Sequence, residues 1–382
     1  MNDFLHPYRE PYLPPPYPYD LLDQLRVAAV ERFGQAIDCS IGTPIDPPPA
    51  AVVEALGSSN TERGYPPSIG SEAYRNAAAD WLHRIAGVNL DPATEIGAVV
   101  GTKEFVAGTP HYLRMRQPDR DTILYPAVSY PSYEQGAVFS GCRAVPVPLD
   151  DQWRMNLDAI DPADAARALC LWVNTPGNPA GGLDDLAAAA EWGRANGVLV
   201  LSDECYIEFT WDGPPQSILQ HGHDGVLAVH SLSKRSNFAG ARAGFYAGDA
   251  ELVHYLREIR KHGGMLIPGP VQAASVVAFG DQEHVKHQRE LYWERLQVGC
   301  ALLRAAGAEV DLPGGGFYLW AAAPNGDAWA LARLLAERAG VIVSPGEFYG
   351  DAASYVRLAV VQPTADLQLA LDRFTGVHGS ES

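Results

Sequence analysis

The chain has 382 residues, 47% of them apolar, and a formal net charge of −18. That length exceeds one simple core and predicts two packed units. The charge argues against nucleic acid or an anionic membrane surface as a partner, since both reward clustered Lys and Arg; it leaves anionic substrates open, because a few local arginines can hold those.

The chain opens on an unusual arm. Pro7 to Tyr19 reads Pro-Tyr-Arg-Glu-Pro-Tyr-Leu-Pro-Pro-Pro-Tyr-Pro-Tyr. Proline at that density excludes helix and predicts an extended segment. It is read as lying on its own subunit or on a sister subunit with its tyrosines as anchors, because the prolines lack the flanking basic residues of a polyproline ligand. From about Glu95 short apolar strands alternate with helices. Ile96–Val100 ends at Gly101-Thr102, Thr122–Tyr125 at Pro126, and Ala168–Val173 at Asn174. A helix follows over Leu183–Asn196, with Gly197 as its stop. Val198–Leu201 ends at Ser202-Asp203, and Val226–Val229 at His230-Ser231. Continuous apolar strands alternating with helices predict an α/β architecture, a mostly parallel sheet covered on both faces. The last third differs. A helix over Asp281–Ala305, the run Gly314-Gly315-Gly316 entering Phe317–Trp320, a helix over Ala328–Ala339, and strands at Val341–Val343 and Val356–Leu358 predict a smaller α+β unit. The expected division is 1–45 as the arm and part of the small domain, 46–280 as the large domain, and 281–382 as the small domain.

In open parallel sheets, ligands bind beyond the carboxyl ends of the strands. Those ends carry Thr102-Lys103-Glu104, Asn174 to Asn178-Pro179, Asp203-Glu204-Cys205-Tyr206 and Ser231-Leu-Ser233-Lys234. Each has a plain structural explanation as a turn, a cap or a surface charge. Four such clusters at successive strand ends are harder to attribute to chance. Lys234 stands out: an amine after an apolar strand, between small residues and followed by Arg242, is suited to bonding an aldehyde cofactor beside a bound phosphate.

The string Ser231-x-Ser233-Lys234 with Gly240-x-Arg242-x-Gly244 resembles the lysine motif of the fold-type-I, class I/II aminotransferases, which use pyridoxal phosphate. Asn174-x-Pro-x-Asn178-Pro179 and Asp203-Glu204-x-Tyr206 resemble the two motifs that precede it in that family. The resemblance runs from Ile41-Gly42-x-Pro44 through Gly64-Tyr65 to Tyr355–Leu358, nearly the whole chain. It implies an aspartate aminotransferase-like fold and pyridoxal 5'-phosphate as cofactor. It makes Lys234 the residue that joins the cofactor aldehyde and then moves the substrate proton, and Asp203 the partner of the pyridine nitrogen. Asn178 and Tyr206 become donors to the phenolic oxygen. Ser231, Ser233 and Arg242, with the backbone at Thr102 and Lys103, become the phosphate cup. Tyr130 is the residue implied to stack on the ring, with Val128 and Tyr133 as competitors for that place. Tyr65 is implied to reach the phosphate of a neighbouring subunit, hence a homodimer with shared active sites. Arg357 is implied to hold the substrate α-carboxylate as a fork, with Gly42 and Asn178 beside it. Ala180 and Ala241 depart from the usual pattern at packing positions.

Four strings resemble most closely the actinobacterial N-succinyldiaminopimelate aminotransferases: Gly-Tyr-Pro-Pro-Ser-Ile-Gly-Ser, Gly-Thr-Lys-Glu-Phe-Val-Ala-Gly-Thr-Pro, Val-Ser-Tyr-Pro-Ser-Tyr-Glu-Gln-Gly-Ala and Ser-Leu-Ser-Lys-Arg-Ser-Asn-Phe-Ala-Gly. They imply an N-succinyl-LL-diaminopimelate:2-oxoglutarate aminotransferase of lysine and diaminopimelate biosynthesis, with amino acids and 2-oxo acids such as glutamate and 2-oxoglutarate as partners. An aminotransferase of another amino acid, or a cysteine-conjugate β-lyase on the same fold, is the alternative. A ligand-sensing transcription regulator would need a basic helix-turn-helix ahead of this region, where only the arm stands.

The remaining signals are smaller. Five widely spaced cysteines without a Cys-x-x-Cys suit reduced thiols in the cytoplasm. No signal peptide is read at the start, and no apolar stretch approaches the ~18 residues of a membrane helix. No metal is expected, so His221-Gly-His223 reads as a solvated loop. Arg257, Arg260, Lys261 and His262 read as a basic helix face, or else as an anchor for a distal substrate carboxylate.

Overall fold

The computed structural model describes residues 12–376, so the start of the arm, Pro7 to Pro11, lies outside it. Twelve strands are numbered in chain order: β1 (Ile37–Asp38), β2 (Ile96–Val99), β3 (Thr122–Pro126), β4 (Arg143–Val147), β5 (Ala168–Asn174), β6 (Leu199–Asp203), β7 (Val226–Ser231), β8 (Gly244–Gly248), β9 (Tyr318–Ala322), β10 (Val341–Ile342), β11 (Ser344–Pro345) and β12 (Tyr355–Ala359). Seven of them form one sheet in the order β2-β8-β7-β6-β5-β3-β4. All its pairings are parallel except those of β8, which runs antiparallel to both β7 and β2.

Every residue of β2, β3, β5, β7 and β8 is buried, as the continuous apolar runs require of a sheet covered on both faces. One face packs against Phe105, Val106 and Leu113 of the helix Thr102–Arg116, Tyr133 of the helix Ser132–Phe139, and Leu256. The other packs against Trp81, Leu82, Leu186, Ala190 and Phe279. Burying each large apolar side chain among these contributes about 1.5–3 kcal/mol. Gly197 ends the helix Leu186–Asn196 in a left-handed conformation, φ 61°, as its sequence position predicts.

A second core gathers β9, β11 and β12 with the helices Glu283–Ala305 and Thr364–Thr375. The chain's first strand belongs here, since β1 pairs in parallel with β10. The expected Val341–Val343 strand is split between two sheets at Val343.

The described part of the arm lies along its own chain. The Tyr12 hydroxyl donates to Gln135 Oε1 at 3.0 Å, and Tyr19 shares a 2.9 Å hydroxyl pair with Tyr349. The dense prolines do not exclude all helical structure, because Pro18 opens a 3-10 turn, Pro18–Leu22. At an initial position the missing N–H costs nothing. No described helix is long and apolar enough to cross a membrane.

Candidate active site

The sheet register builds one edge. Asn174 lies opposite Asp203, Asp203 opposite Val229, Ser231 opposite Gly244, and Gly244 opposite Val99. The strand-end clusters therefore meet; those after β5, β6 and β7 are immediate neighbours, and only the one after β2 is not. Because β8 is interposed, Thr102 sits across an antiparallel strand from Ser231. That strand begins on the same edge, and so brings Arg242 to it.

A cavity of about 430 Å³ opens over this edge, a size usual for small-molecule sites. Lys234, Asp203, Tyr206, Thr102, Lys103, Tyr130, Asn178, Ser231, Ser233, Arg242, Arg357 and Gly42 all line it. Tyr65 does not; its side chain is 98% exposed.

At one end Gly101 turns with φ 79° into the helix Thr102–Arg116, whose first N–H groups have no partner within the helix. Arg242 lies against that turn, and a Cβ on Gly101 would collide with its Nη2. The Arg242 backbone is itself left-handed, φ 59°, while its Nη1 donates to Ala239 O at 2.8 Å. The Ser231 hydroxyl accepts the Ser233 N–H at 3.1 Å. An arginine, two serines and a helix N-terminus make an anion site.

In the middle, Lys234 rises from the short helix Leu232–Arg235 that follows β7. Its amine donates to Gly42 O. Burial draws its pKa down to about 8; Arg357 and Arg242 add to the fall, while Cys205 and Asp203 oppose it. The Asp203 carboxyl is shifted up by burial against the pull of its hydrogen-bond donors and of Lys234. Among the described residues it makes no ion pair, so a buried acid lacks a directly bonded cation. The thiol of Cys205 donates to Thr102 Oγ1 at 3.3 Å.

At the other end Arg357 is 1% exposed. It donates through Nη1 to Asn178 Oδ1 at 2.9 Å and through Nη2 to Ser40 O, and its Nε has no partner among the described residues. The guanidinium lies 4.4 Å from the Tyr318 ring centroid and 4.6 Å from that of Tyr349. The Asn178 N–H donates to Asn174 Oδ1 at 2.9 Å. The hydroxyls of Tyr206 and Tyr318 lie 2.8 Å apart. Gly42 is bare of necessity, because a Cβ there would collide with the Tyr318 hydroxyl.

Sequence reasoning missed Tyr318 and the arm residues Tyr17 and Tyr19 as cavity-lining groups and weighed Tyr133 only for the stacking place; all four line the cavity. For Tyr318, the signal was Gly314-Gly315-Gly316 leading into an aromatic strand. Of the three candidates for the stacking place, Val128 packs at the edge of the second core, and the Tyr133 hydroxyl is committed to Asp203. Tyr130 borders the cavity and accepts a bond from Lys103 Nζ at 3.2 Å.

The basic helix face needs correction. Arg260 is 1% exposed and bonded to Glu104, with Nη1 to Oε2 at 3.2 Å, and none of Arg257, Arg260, Lys261 or His262 borders the cavity. Nor is His223 a merely solvated ring, since its Nδ1 lies 2.7 Å from Glu95 Oε1. No metal-binding cluster occurs among the described residues. All five cysteines are free.

The family model for aminotransferase class I and II matches residues 35–374. The 4-dedimethylamino-4-oxo-anhydrotetracycline transaminase OxyQ of Streptomyces rimosus is 37% identical over 370 residues, covering 94% of this chain and 99% of its own. The LL-diaminopimelate aminotransferase of Desulforudis audaxviator is 34% identical over 379 residues, covering 96% of each chain. Among solved structures, substrate-bound BacF from Bacillus subtilis matches with a TM-score of 0.86 at 28% identity, over 96% of this chain and 95% of its own. A probable N-succinyldiaminopimelate aminotransferase from Thermus thermophilus matches with a TM-score of 0.84 at 29% identity, over 94% and 100%.

Proposed function

The chain belongs to the class I and II aminotransferases and is a pyridoxal-phosphate-dependent transaminase, and from that premise we propose that it exchanges the amino group of N-succinyl-LL-diaminopimelate with 2-oxoglutarate. The observation that carries the substrate class is the charge balance of the cavity. Among the described residues four cations line it, Lys103, Lys234, Arg242 and Arg357, against the single carboxylate of Asp203. A phosphate and one carboxylate would occupy Arg242 and Arg357. Lys234 would be taken up by the cofactor aldehyde, so Lys103 remains, and no described carboxylate pairs with it; its amine lies over the rings of Tyr17 and Tyr130. A second substrate carboxylate suits that place. The succinylated substrate rests on the resemblance of the four strings and on the Thermus relative.

The residues fit the cofactor. The anion site at Gly101 and Arg242 suits its phosphate. The unpaired, buried Asp203 calls for a cationic partner such as a protonated ring nitrogen. When bound, pyridoxal phosphate supplies an aldehyde to carry the amino group and a ring to take up electrons from the substrate Cα. On this reading Ser231, Ser233, Arg242 and the backbone at Thr102 and Lys103 hold the phosphate, Tyr130 lies on the ring, and Asn178 and Tyr206 donate to its phenolic oxygen. Arg357 turns its fork to the substrate α-carboxylate beside Gly42. Lys234 takes the Cα proton and returns it at the far side of the exchange. Its lowered pKa leaves more of the amine neutral, as a base requires. Tyr65, fully outside its own cavity, serves the phosphate of a second copy in a homodimer. The five free thiols suit the cytoplasm.

The test is a panel of 2-oxo acids with glutamate as donor, followed through the cofactor's visible absorption. The substrate assignment predicts the highest kcat/KM for the succinylated oxo acid. An equal or higher value for an unrelated acceptor would overturn it.

A further inference from the structure

Asp203 presents two oxygens, and the fold has engaged both. Oδ1 accepts the N–H of Cys205 at 3.3 Å, and Oδ2 accepts the Tyr133 hydroxyl at 2.9 Å. The second bond joins residues 70 positions apart and is wholly buried. Tyr133 is 1% exposed, held in the first turn of the helix Ser132–Phe139, with its ring centroid 5.5 Å from that of Trp172. A phenol that only filled the core would leave its hydroxyl to a backbone carbonyl or to solvent. This one points at the single acid of the cavity.

A fixed donor disperses the charge of a carboxylate and lowers its proton affinity. Deep burial acts in the opposite sense on Asp203. Burial also pushes the Tyr133 phenol well above its ordinary range, so it stays a donor throughout the working pH range. Two other ionisable groups act on Asp203. Cys205 is kept neutral by burial, and Lys234 is the amine that the reaction itself engages. The neutral Cys205 thiol, the Tyr133 hydroxyl and the Cys205 N–H are thus the constant influences, and of these the Tyr133 hydroxyl is the one that reaches Oδ2 from another element.

We propose that Tyr133 is a positioning residue that aims the Asp203 carboxylate and weakens it as a base, so that the shared proton stays on the cofactor ring nitrogen. This rests on the reading in which Asp203 faces that nitrogen. Without the hydroxyl bond the proton would shift toward the carboxylate, and the ring would draw electrons from the substrate less strongly.

The experiment uses holoenzyme loaded with pyridoxal phosphate labelled with 15N in the ring. In Tyr133→Phe, which keeps the ring packing, the nitrogen resonance should move toward the unprotonated value. The kcat should fall about tenfold, the size of one hydrogen bond to a charged group, with KM for glutamate little changed. Replacing Tyr133 by 3-fluorotyrosine preserves the shape and strengthens the donor, so the resonance should move the other way. A resonance unmoved in both variants but moved by Asp203→Asn overturns the proposal and leaves the site reading intact. A resonance unmoved by all three overturns both.

Discussion

Lys234 is held between opposing influences, and its amine responds to them in a measurable way. A lysine whose folded pKa lies below its unfolded value binds fewer protons folded than unfolded between those two values. Stability therefore rises with pH across that window, from about 8 to the ordinary lysine value of 10.5. Apoprotein carrying Lys234→Met should melt higher than wild type at pH 7, and the difference should vanish above about pH 10.5; melting scans at several pH values check this. The same position should be indispensable for turnover, so Lys234→Ala should lose at least about a thousandfold in kcat together with the protein-bound cofactor band. Arg357→Lys keeps the charge and loses the fork. Its kcat/KM should drop about tenfold to a hundredfold, read by steady-state kinetics with glutamate. At this scale the sequence was most legible where a residue sits in a short motif. All the residues taken from the motifs but Tyr65 meet in one cavity, whereas Val128 and the basic helix residues, which no motif marks, do not. Tyr133 was weighed only for the stacking place, and its bond to Asp203 was not legible, because that partner lies 70 residues away and a tyrosine spacing says nothing about where a hydroxyl points.

Among elements, β8 is the instructive case. Gly244–Gly248 is short and begins and ends on glycine, so no apolar run announced it. Even a clear run would not have given its direction, since buried parallel and antiparallel strands share one pattern. Its reversal carries Arg242 to the edge where Gly101 turns. Gly101→Ala would force a side chain into a left-handed backbone, at about 1–2 kcal/mol, and drive a Cβ into the guanidinium. The dissociation constant for pyridoxal phosphate should rise at least about tenfold, measured by equilibrium dialysis, with far-ultraviolet dichroism unaltered. The covering helices were easier to place. The helix Ala328–Ala339 appears with its expected bounds, marked by Asp327 and Gly340 at its caps.

For the whole molecule, the mostly parallel sheet was legible from the alternation of apolar strands with helices. The return of β1 to pair with β10 was not, because two residues of strand carry no periodic signal. The homodimer proposal makes a prediction that no single chain can satisfy. Lys234→Ala and Tyr65→Ala subunits should each be impaired alone. Refolded together, half the dimers are mixed, and each mixed dimer holds one site with both native residues. Recovery of about one quarter of wild-type activity is expected from random mixing; no recovery would show that Tyr65 acts within its own chain or not at all.

The division of labour around the cavity has a practical reach. Asn174, Asp203 and Ser231 stand on the seven-stranded sheet, locked by strand register. Arg357 and Tyr318 come from a different sheet, and Tyr17, Tyr19 and Gly42 from segments outside any strand. The preferred acceptor can therefore be retargeted by randomising Tyr17, Thr43 and Tyr318 while the sheet edge is left untouched, and most members of such a library should still turn yellow with cofactor whatever substrate they have lost or gained.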